Sequence, residues 1–359
     1  DARYLRYLLS SPQKQSMLLN LASAGATRNA LTKGMIEGLE VPKPDINIQV
    51  EIGSKLQSLD RKIQLNQQTN HTLEQRAQAL FKSWFVDFDP VIDNALAAGN
   101  TLPAELQHRV AVRKKAHALQ ANNPKIAPLP KATQALFPSE FEHCGDPTQG
   151  IQGWIPKGWE VQTISDFGKV VCGKTPPTKV PENYGDDIPF IKIPDLHSQM
   201  VVVNTKEKLS ELGSHTQIKK LVPENSICVS SIATVGLIGI TSIPSHTNQQ
   251  INTVIPTNLN TVEYLFFSFK RLNRKFHDLA SGGSATLNMN TSTFAGVKVF
   301  RPDELIIDEF HSRVKVLVSS IKNRGLEQIQ LEAIRDSLLP KLISDELQID
   351  SKINEAVDA

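Results

Sequence analysis

The chain repeats part of its sequence at a separation of 258 residues. Leu-Ala-Ser-Ala-Gly at 21–25 recurs as Leu-Ala-Ser-Gly-Gly at 279–283, and matches at the same separation continue without a gap as far as Leu80 and Leu338. Solenoid repeats are about 20–50 residues long, so a period of this length indicates a duplicated, domain-sized unit instead.

Each copy of the repeat predicts the same order of elements. Apolar spacing typical of a helix comes first, and a loop rich in Gly, Ser and Asn follows it. Tyr4-Leu5 and Tyr264-Leu265 mark the start of this helix in the two copies, where the separation has shifted by two, to 260 residues. The predicted elements of the first and second copy are a short helix (4–21, 264–279), a short strand (38–42, 296–300) and then a long helix.

The two copies differ in what precedes them. A long strand-rich stretch lies before the second copy, whereas the first copy has no counterpart to it. The chain also starts at Asp1 in mid-element, only three residues before the predicted helix, with neither an initiator methionine nor a signal peptide. We therefore expect residues 1–45 to be the C-terminal remnant of a first domain whose upstream part is missing.

Both long helices carry a heptad pattern, with apolar residues at alternating spacings of four and three. The two seams turn polar at the same place, at Asn66 and Asn70 and at Arg324 and Gln328, which trades stability for register. Duplicated helices joined by a long connection would most simply pack antiparallel, as a rod of roughly 50 Å at 1.5 Å per residue. The apolar seam residues are Leu56, Leu59, Ile63, Leu73 and Leu80 in one helix and Val314, Leu317, Ile321, Leu331 and Leu338 in the other.

Composition limits the classes of function without choosing among them. The 359 residues carry a net charge of only +2, so a nucleic-acid surface would need unevenly placed charge. The three cysteines lie far apart, in no spacing typical of a metal site or a disulfide framework, which favours a reducing, cytoplasmic compartment. No apolar run approaches the roughly 20 residues that a membrane span needs, so no membrane contact is expected.

Residues 89–150 differ in composition from both copies of the repeat. Prolines interrupt this segment from Asp89-Pro90 onwards, around one predicted helix from Pro103 to about Gln120. We interpret the segment as a connector. Its helix carries four basic residues, Arg109, Arg113, Lys114 and Lys115. We expect them to form a solvent-exposed face, and the alternative is that they contact a partner or DNA phosphate.

Residues 151–304 predict a strand-rich globular domain. The stretch 151–302 contains fifteen Lys and Arg against eleven Asp and Glu, a modest basic excess. Together with the paired helices, it predicts an α+β fold class, in which a mixed α/β globular domain is joined to antiparallel coiled-coil helices with internal duplication. The predicted strands are 160–164, 169–172, 190–193, 200–203, 226–232, 237–243 and 252–255.

Loops between these strands combine amide and hydroxyl groups with lysines. Asn and Gln can bond adenine edges, Lys can bond guanine, and all of them can bind phosphate. Polar loops are more often simply solvated, which is the competing interpretation. The candidate DNA-contacting residues are Lys174, Thr175, Lys179, Lys192, Lys219, Lys220, Ser230, Thr234, His246, Asn248, Gln249, Gln250, Asn288 and Asn290.

Two longer motifs carry a resemblance to a known family. Leu80-Phe-Lys-Ser-Trp-Phe-Val-Asp-Phe-Asp-Pro90 closes the first long helix, and Ile155-Pro-Lys-Gly-Trp159 opens the strand-rich domain. Shorter matches follow at 173–176, 188–191, 221–226, 233–236 and 248–249. Over nearly its whole length, the chain resembles the specificity subunits of type I restriction-modification systems.

The resemblance implies a DNA specificity subunit that catalyses nothing itself. Such subunits have two target-recognition domains, each reading half of a split DNA site, and two conserved helical regions that set the gap and bind two methyltransferase (modification) subunits. The seam residues are therefore also candidates for partner binding. By resemblance the divisions are 1–45, remnant of the first recognition domain; 46–88, first helix; 89–150, connector; 151–304, second recognition domain; 305–345, second helix; and 346–359, tail.

The resemblance also implies the partners and cofactors. The partners would be double-stranded DNA, the methyltransferase subunits and, in the full complex, restriction/translocase subunits. The methyltransferase would flip out its adenine, because such chemistry cannot reach a stacked base. S-adenosylmethionine, ATP and Mg would then belong to the partner subunits, and this chain would bind no cofactor.

Three alternatives remain open. An enzyme is disfavoured because the sequence contains no GxxxxGK[ST] loop, no Gly-rich strand-to-helix cofactor turn, no Asn-Pro-Pro-aromatic tetrad and no HExxH pair. A coiled-coil scaffold without DNA specificity would show no salt-dependent DNA binding. A truncated specificity subunit active only as a dimer would be recognised by gel filtration with light scattering.

Overall fold

The computed structural model describes residues 1–23, 30–123, 127–197, 199–282 and 287–343. Its helices are α1 Ala2–Ser10, α2 Pro12–Ser23, α3 Lys33–Glu37, α4 Ile46–Phe85, α5 Asp89–Ala98, α6 Gln107–Ala121, α7 Lys131–Gln134, α8 Ile164–Phe167, α9 Glu211–His215, α10 Val262–Arg271, α11 Asn273–Ala280, α12 Thr291–Ala295 and α13 Glu304–Ile343. Its strands are β1 Phe141–His143, β2 Trp154–Pro156, β3 Glu160–Thr163, β4 Gly168–Cys172, β5 Tyr184–Gly185, β6 Ile188–Ile191, β7 Val201–Val202, β8 Lys208–Leu209, β9 Ile227–Ser230, β10 Ile238–Thr241, β11 His246–Thr247, β12 Ile251–Pro256 and β13 Lys298–Arg301.

The chain divides into two compact units, and both long helices contribute to each of them. The first unit contains residues 1–69 and the part of the chain that begins at Arg324, and the second contains residues 70–323. Helices and strands are both present, and α4 packs on α13. The predicted mixed fold with two long, paired helices is thus confirmed.

In the first unit, α1 packs on the long helices. The side chain of Asp1 caps α1 by accepting hydrogen bonds from the backbone N–H groups of Arg3 and Tyr4. Tyr4 and Leu8 are buried against α4 and α13 in a cluster that includes Leu56 and Leu342. The stability of this short helix therefore comes from the apolar face that it buries, since an isolated helix of its length would be marginal in water.

Contacts between α4 and α13 run in opposite directions along the two helices. In the first unit, Asp60 Oδ1 lies 3.0 Å from Arg335 Nη1, and Asn66 Nδ2 donates to Glu327 Oε2 at 2.9 Å. In the second unit, Asn70 Nδ2 donates to the carbonyl oxygen of Ile321 in α13, at 3.3 Å. Positions rise along α4 as they fall along α13, so the helices are antiparallel as predicted, and Asn66 and Asn70 in the polar part of the seam each donate a hydrogen bond to α13.

The same tyrosine contact occurs in both copies of the repeat. The Tyr4 hydroxyl donates to the carbonyl oxygen of Pro42 at 3.1 Å, and the Tyr264 hydroxyl donates to that of Phe300 at 2.6 Å. Residues 42 and 300 are separated by the 258 residues of the repeat. The duplication therefore preserves a tertiary contact as well as a sequence pattern.

Two local predictions for the repeat are wrong. The single helix predicted in each copy is two helices, divided at Ser11-Pro12 in the first copy and at Leu272 in the second. Ser11 is extended, which is the conformation favoured before proline. The strand predicted at 38–42 is also absent: β13 exists because it pairs with β3, whereas no strand among the described residues pairs with 38–42.

The residues of the second unit that the structure describes form four sheets. The largest has the strand order β4-β12-β9-β10-β7, antiparallel except where β10 pairs with β7. A four-stranded sheet has the order β11-β6-β8-β5, and two small sheets pair β1 with β2 and β13 with β3. All seven strands predicted in this segment are found, within three residues of the predicted bounds, as β3, β4, β6, β7, β9, β10 and β12.

An aromatic cluster fills the core of the second unit where α4 ends. The ring of Phe85 lies 4.9 Å from that of Tyr264 and 5.1 Å from that of Phe310, between centroids. Trp84 packs edge-on against Phe137 at 5.0 Å. The aromatic residues of the 80–90 motif are therefore core residues, and they attach α4 to the globular domain.

The connector differs from its prediction in its elements and in the surroundings of its arginines, and it contains α5, α7 and β1 besides the one predicted helix, α6. It begins with a second helix, α5. Proline at position 90 is compatible with this helix because it falls in the first turn, where no backbone N–H is needed. Arg109 and Arg113 are not solvated: Arg109 Nη2 lies 2.7 Å from Asp89 Oδ1, and Arg113 Nη2 lies 2.5 Å from Asp93 Oδ2. Lys114 and Lys115 are exposed, as predicted. The arginines therefore clamp α6 to α5.

Candidate nucleic-acid interface

Several polar loops meet at one edge of the five-stranded sheet. β4 ends and β12 begins where Cys172 pairs with Asn252, and β9 ends where Ser230 pairs with Ile251. The loops that follow β4 and β9 and the loop that precedes β12 therefore emerge on the same side. We call the described residues of these loops and of the adjacent segment, 173–175, 231–234, 248–250 and 287–290, the loop edge.

Hydrogen bonds join the loops of this edge to one another. The Lys174 N–H donates to the carbonyl of Thr247 at 2.9 Å, and the Thr175 hydroxyl donates to Gln249 Oε1 at 2.5 Å. The Ser231 N–H donates to the carbonyl of Gln250 at 2.8 Å. The loops after β4 and β9 are thus both attached to the one before β12.

The segment 287–290 attaches to the loop after β9. The Ala233 N–H donates to the carbonyl of Leu287 at 3.0 Å, and the Met289 N–H donates to the carbonyl of Ser231 at 2.8 Å. Between them, Ile232 forms an isolated antiparallel bridge with Asn288. Four segments that are distant in sequence consequently form one continuous surface; residues 283–286, part of the loop singled out in the sequence, lie outside the described residues.

The loop edge presents the chemistry expected of base and phosphate contacts. Its exposed or half-buried side chains carry an ammonium group, hydroxyls and carboxamides, and can therefore both donate and accept hydrogen bonds. Such groups can contact phosphate oxygens and the edges of bases in the major groove. The predicted residues that the structure brings together in this exposed set are Lys174, Thr175, Thr234, Gln249, Gln250, Asn288 and Asn290.

Three predicted residues near the loop edge are buried: Ser230 ends β9, His246 lies in β11 of the four-stranded sheet, and Asn248 belongs to the loop before β12. Ser230 is fully buried, and its hydroxyl accepts the N–H of Leu237 at 2.9 Å. His246 is fully buried beside the Ser214 hydroxyl, at 2.9 Å, and desolvation lowers its pKa to about 4. Asn248 is 6% exposed and bonds Gln250 with both ends of its amide. We leave these three out of the proposed contact set, because they expose no polar group to a ligand.

The remaining predicted lysines do not join the loop edge. Lys192 Nζ lies 2.5 Å from Glu207 Oε1 and 5.1 Å from the centre of the Phe190 ring, so its charge is already paired. Lys219 and Lys220 lie beside the bridge that joins Val222 to Ser245, at the start of β11. The loop edge begins after the end of β11, at the loop that contains Gln249. Lys179 is exposed and continues the loop after β4 beyond the residues defined above.

Sequence reasoning missed Asn252, whose side chain lies directly beneath the loop edge. It is 2% exposed and bonds Ser231, the Met289 carbonyl and Thr291. The available signal was a carboxamide inside the mostly apolar run Ile251-Asn-Thr-Val-Ile-Pro256, in which Thr253 is the other polar residue. A buried polar group is costly unless it is hydrogen-bonded, so such a residue in a strand indicates a specific contact.

The predicted seam residues occupy the interface between the two long helices. Leu56 and Val314 are fully buried, and Ile63 and Ile321 nearly so. The others are half-buried: Leu59, Leu73, Leu80, Leu317, Leu331 and Leu338. Side chains used by one helix to hold the other leave little surface for a further protein. In the first unit, Leu65, Leu326 and Ile334 instead face outward, and they are 56%, 40% and 46% exposed.

Two further features are absent from the residues that the structure describes. None of the helices in that part of the chain is both long and apolar enough to cross a membrane. Within the same residues, no three His, Cys, Asp or Glu side chains are grouped so that they could hold a metal ion.

Known proteins share both the sequence and the fold of this chain. The family described as Type I restriction modification DNA specificity domain matches residues 1–75 and 156–312. The HindI specificity subunit of a type I restriction enzyme of Haemophilus influenzae is 41% identical over 350 residues, which are 95% of this chain and 76% of that subunit. The MjaIX specificity subunit of Methanocaldococcus jannaschii is 24% identical over 352 residues, 97% of this chain and 70% of that subunit.

A solved structure supports the same fold. The S subunit of a type I restriction-modification system from M. genitalium superposes with a TM-score of 0.53, over 96% of this chain and 72% of that one, at 16% identity. The family match covers more than half of the chain, and the Haemophilus relative is well above 30% identical. The chain therefore belongs to the type I restriction-modification specificity subunits, the non-catalytic components that serve DNA recognition.

Proposed function

We propose that residues 151–304 form a target-recognition domain that reads one half of a bipartite DNA site through the loop edge. The observation that carries this proposal is the convergence of four sequence-distant polar segments on one edge of a sheet. The proposed divisions of the chain remain 1–45, 46–88, 89–150, 151–304 and 305–345, with a tail at 346–359 that lies outside the described residues.

Binding would combine two kinds of contact. Lys174 in the loop edge, and Lys179 farther along the same loop, would bind phosphate, which positions the domain on any sequence and makes affinity depend on salt. Carboxamides such as Gln249 and Asn288 would bond base edges, which selects a sequence. The antiparallel helices would hold this domain at a fixed distance from a second recognition element, so that helix length becomes the spacing between half-sites.

The cofactors and remaining partners belong to the same proposal. Two methyltransferase subunits would dock on the long helices, and restriction/translocase subunits would complete the complex. S-adenosylmethionine, ATP and Mg would be bound by those subunits, and this chain would supply only the choice of site. A methyltransferase placed in this way would flip an adenine out of the recognised duplex.

The function is tested by selecting DNA from a randomised duplex library with the full chain co-expressed with its modification subunit. Enrichment of a split motif, or of a single half-site, is the expected result. Salt-sensitive retention without an enriched sequence would leave a basic scaffold and contradict the specificity proposal. Light scattering of the same complex would show whether it contains one copy of this chain or two.

Two substitutions in the loop edge are expected to separate phosphate contacts from base contacts. Lys174→Ala should weaken binding to all sequences alike and lower the slope of log affinity against log salt by about one. Gln249→Ala should cost about 1–3 kcal/mol on the preferred sequence and little on others, because it removes a base contact. Both are measured by fluorescence anisotropy across a salt series.

The matched control for the lysine is Lys219→Ala, which removes the same charge from an exposed position outside the loop edge. It should leave the salt slope of the parent nearly unchanged. Equal effects of the two lysine substitutions would show that only net charge matters, and the loop edge would lose its proposed role.

Methyltransferase docking is tested on the outer faces of the long helices. Leu326→Glu combined with Ile334→Glu is expected to weaken capture of the modification subunit at least about tenfold, because a carboxylate would be buried in the interface. Leu119→Glu is the control, since Leu119 is 65% exposed on α6 of the connector. Unchanged capture by the double variant, measured by quantitative co-purification, would place the docking surface elsewhere.

A further inference from the structure

The side chain of Asn252 connects two loops of the loop edge from below. Its Nδ2 donates to Ser231 Oγ at 2.9 Å and to the Met289 carbonyl at 3.3 Å. Its Oδ1 accepts a hydrogen bond from the Thr291 hydroxyl at 2.9 Å. Ser231 belongs to the loop after β9, and Met289 and Thr291 belong to the segment that precedes and begins α12. One buried carboxamide therefore holds together two segments that are far apart in sequence.

The position of Asn252 is itself fixed by the sheet. Its backbone lies in β12 between two antiparallel neighbours, opposite Cys172 in β4 and opposite Val229 in β9. With three strands defining its Cα, the short side chain has little freedom. The loops that bond to it consequently take their position from the centre of the sheet.

The residues on either side of these bonds are exposed candidates for base contact. Thr234 follows Ser231 in one loop, and Asn288 and Asn290 flank Met289 in the other segment. Asn290 Oδ1 already accepts the N–H of Thr293 at 2.8 Å as the cap of α12, so its amide N–H groups are the part left for a ligand. A shift in either loop would move these groups relative to one another.

We propose that Asn252 is a positioning residue for sequence recognition: its buried amide sets the separation of the 231–234 and 287–290 segments and thereby aligns their exposed groups with one set of bases. This inference rests on the proposed DNA-reading function of the loop edge. Asn252 itself contacts no DNA. A misplaced donor is more damaging to base discrimination than to phosphate binding, because base-edge bonds depend on direction whereas attraction to the phosphates acts over a Debye length.

The test compares Asn252→Ala and Thr291→Val with the parent in the same library selection and salt series, using the complex with the modification subunit. The first removes all three bonds, and the second removes one from a half-buried residue at less risk to folding. The expected result is a loss of about tenfold in the ratio of preferred to scrambled sequence, the size of one good base contact. Affinity for scrambled DNA and its salt slope should remain those of the parent.

Thr253→Val is the matched control. Thr253 is the next residue of β12 and is also fully buried. Among the contacts described, its hydroxyl bonds only the Sγ atom of Cys228, which lies on the neighbouring strand β9. A positioning role predicts a parent-like ratio for this variant, whereas a general loss of stability would lower binding to preferred and scrambled DNA together.

Each outcome decides between the two proposals. If the parent itself enriches no sequence, the proposed function fails. A second outcome is that the parent enriches a sequence while Asn252→Ala and Thr291→Val both keep its ratio of preferred to scrambled binding within about twofold. In that case the positioning role of Asn252 is wrong and the proposed function stands. A relaxed preference confined to some bases of the half-site supports the positioning role, because loss of folded protein would weaken every position equally.

Discussion

Phe310→Ala is expected to lower the free energy of unfolding of the second unit by about 4 kcal/mol, within the range for deleting a buried aromatic ring. Phe310 is fully buried, and its ring lies 5.1 Å from that of Phe85, 6.0 Å from that of Trp84 and 6.1 Å from that of Phe81. The substitution leaves a cavity that three rings on α4 and their neighbours can fill only partly, and these aromatic pairs add to the energy lost.

The measurement is urea denaturation monitored by circular dichroism. The midpoint concentration of urea should fall, while the slope of unfolding free energy against urea concentration stays the same. Leu305→Ala is the control in the same helix, because Leu305 is 61% exposed and its loss should change stability by at most about 0.5 kcal/mol. Similar midpoints for the two variants would show that the aromatic cluster does not hold α13 to the globular domain.

The buried imidazole of His246 is expected to make the second unit acid-sensitive. Desolvation lowers the pKa of His246 to about 4, from an ordinary value near 6.5. Between these two pH values the unfolded chain binds a proton that the folded chain does not, so stability falls as pH drops from 6.5 to 4. The loss approaches roughly 3 kcal/mol at pH 4, at 1.4 kcal/mol per unit of pKa.

His246→Gln should remove this part of the pH dependence, although it also disturbs the contact with the Ser214 hydroxyl. The comparison is therefore between the slopes of unfolding free energy against pH, and not between absolute stabilities. His215→Gln is the control, since His215 is exposed on α9. If the parent and both variants lose stability equally between pH 6.5 and 4, protonation of His246 does not limit folding in acid.

Patterns local in sequence predicted the elements well. The heptad spacing predicted two long paired helices, and Asn66 lies in the polar part of their seam as expected, bonded to Glu327. Their antiparallel arrangement was predicted from the duplication and the long connection between them. Alternation and turn residues predicted seven of the strands that the structure shows in the globular domain, and missed short ones such as β5, β8 and β11. Such signals succeed because helix and strand periodicities are properties of adjacent residues.

Predictions that depended on a partner elsewhere in the chain were less accurate. The strand predicted at 38–42 has the same pattern as β13, but only β13 has a neighbour, β3, to complete its hydrogen bonds. Arg109 was expected to be solvated and instead pairs with Asp89. In both cases the deciding group lies many residues away, where no local pattern can indicate it.

The candidate DNA-contacting residues show the same division. The sequence by itself determined the duplication, the paired helices and the presence of polar loops, because each of these follows from the spacing of matching or apolar residues or from local composition. Only the tertiary structure decided which loops meet at the sheet edge, that Gln249 is exposed there while His246 is buried, and that Asn252 lies beneath them. The physical reason is that burial and hydrogen-bond partners are set by strand order, which brings together residues from distant parts of the chain.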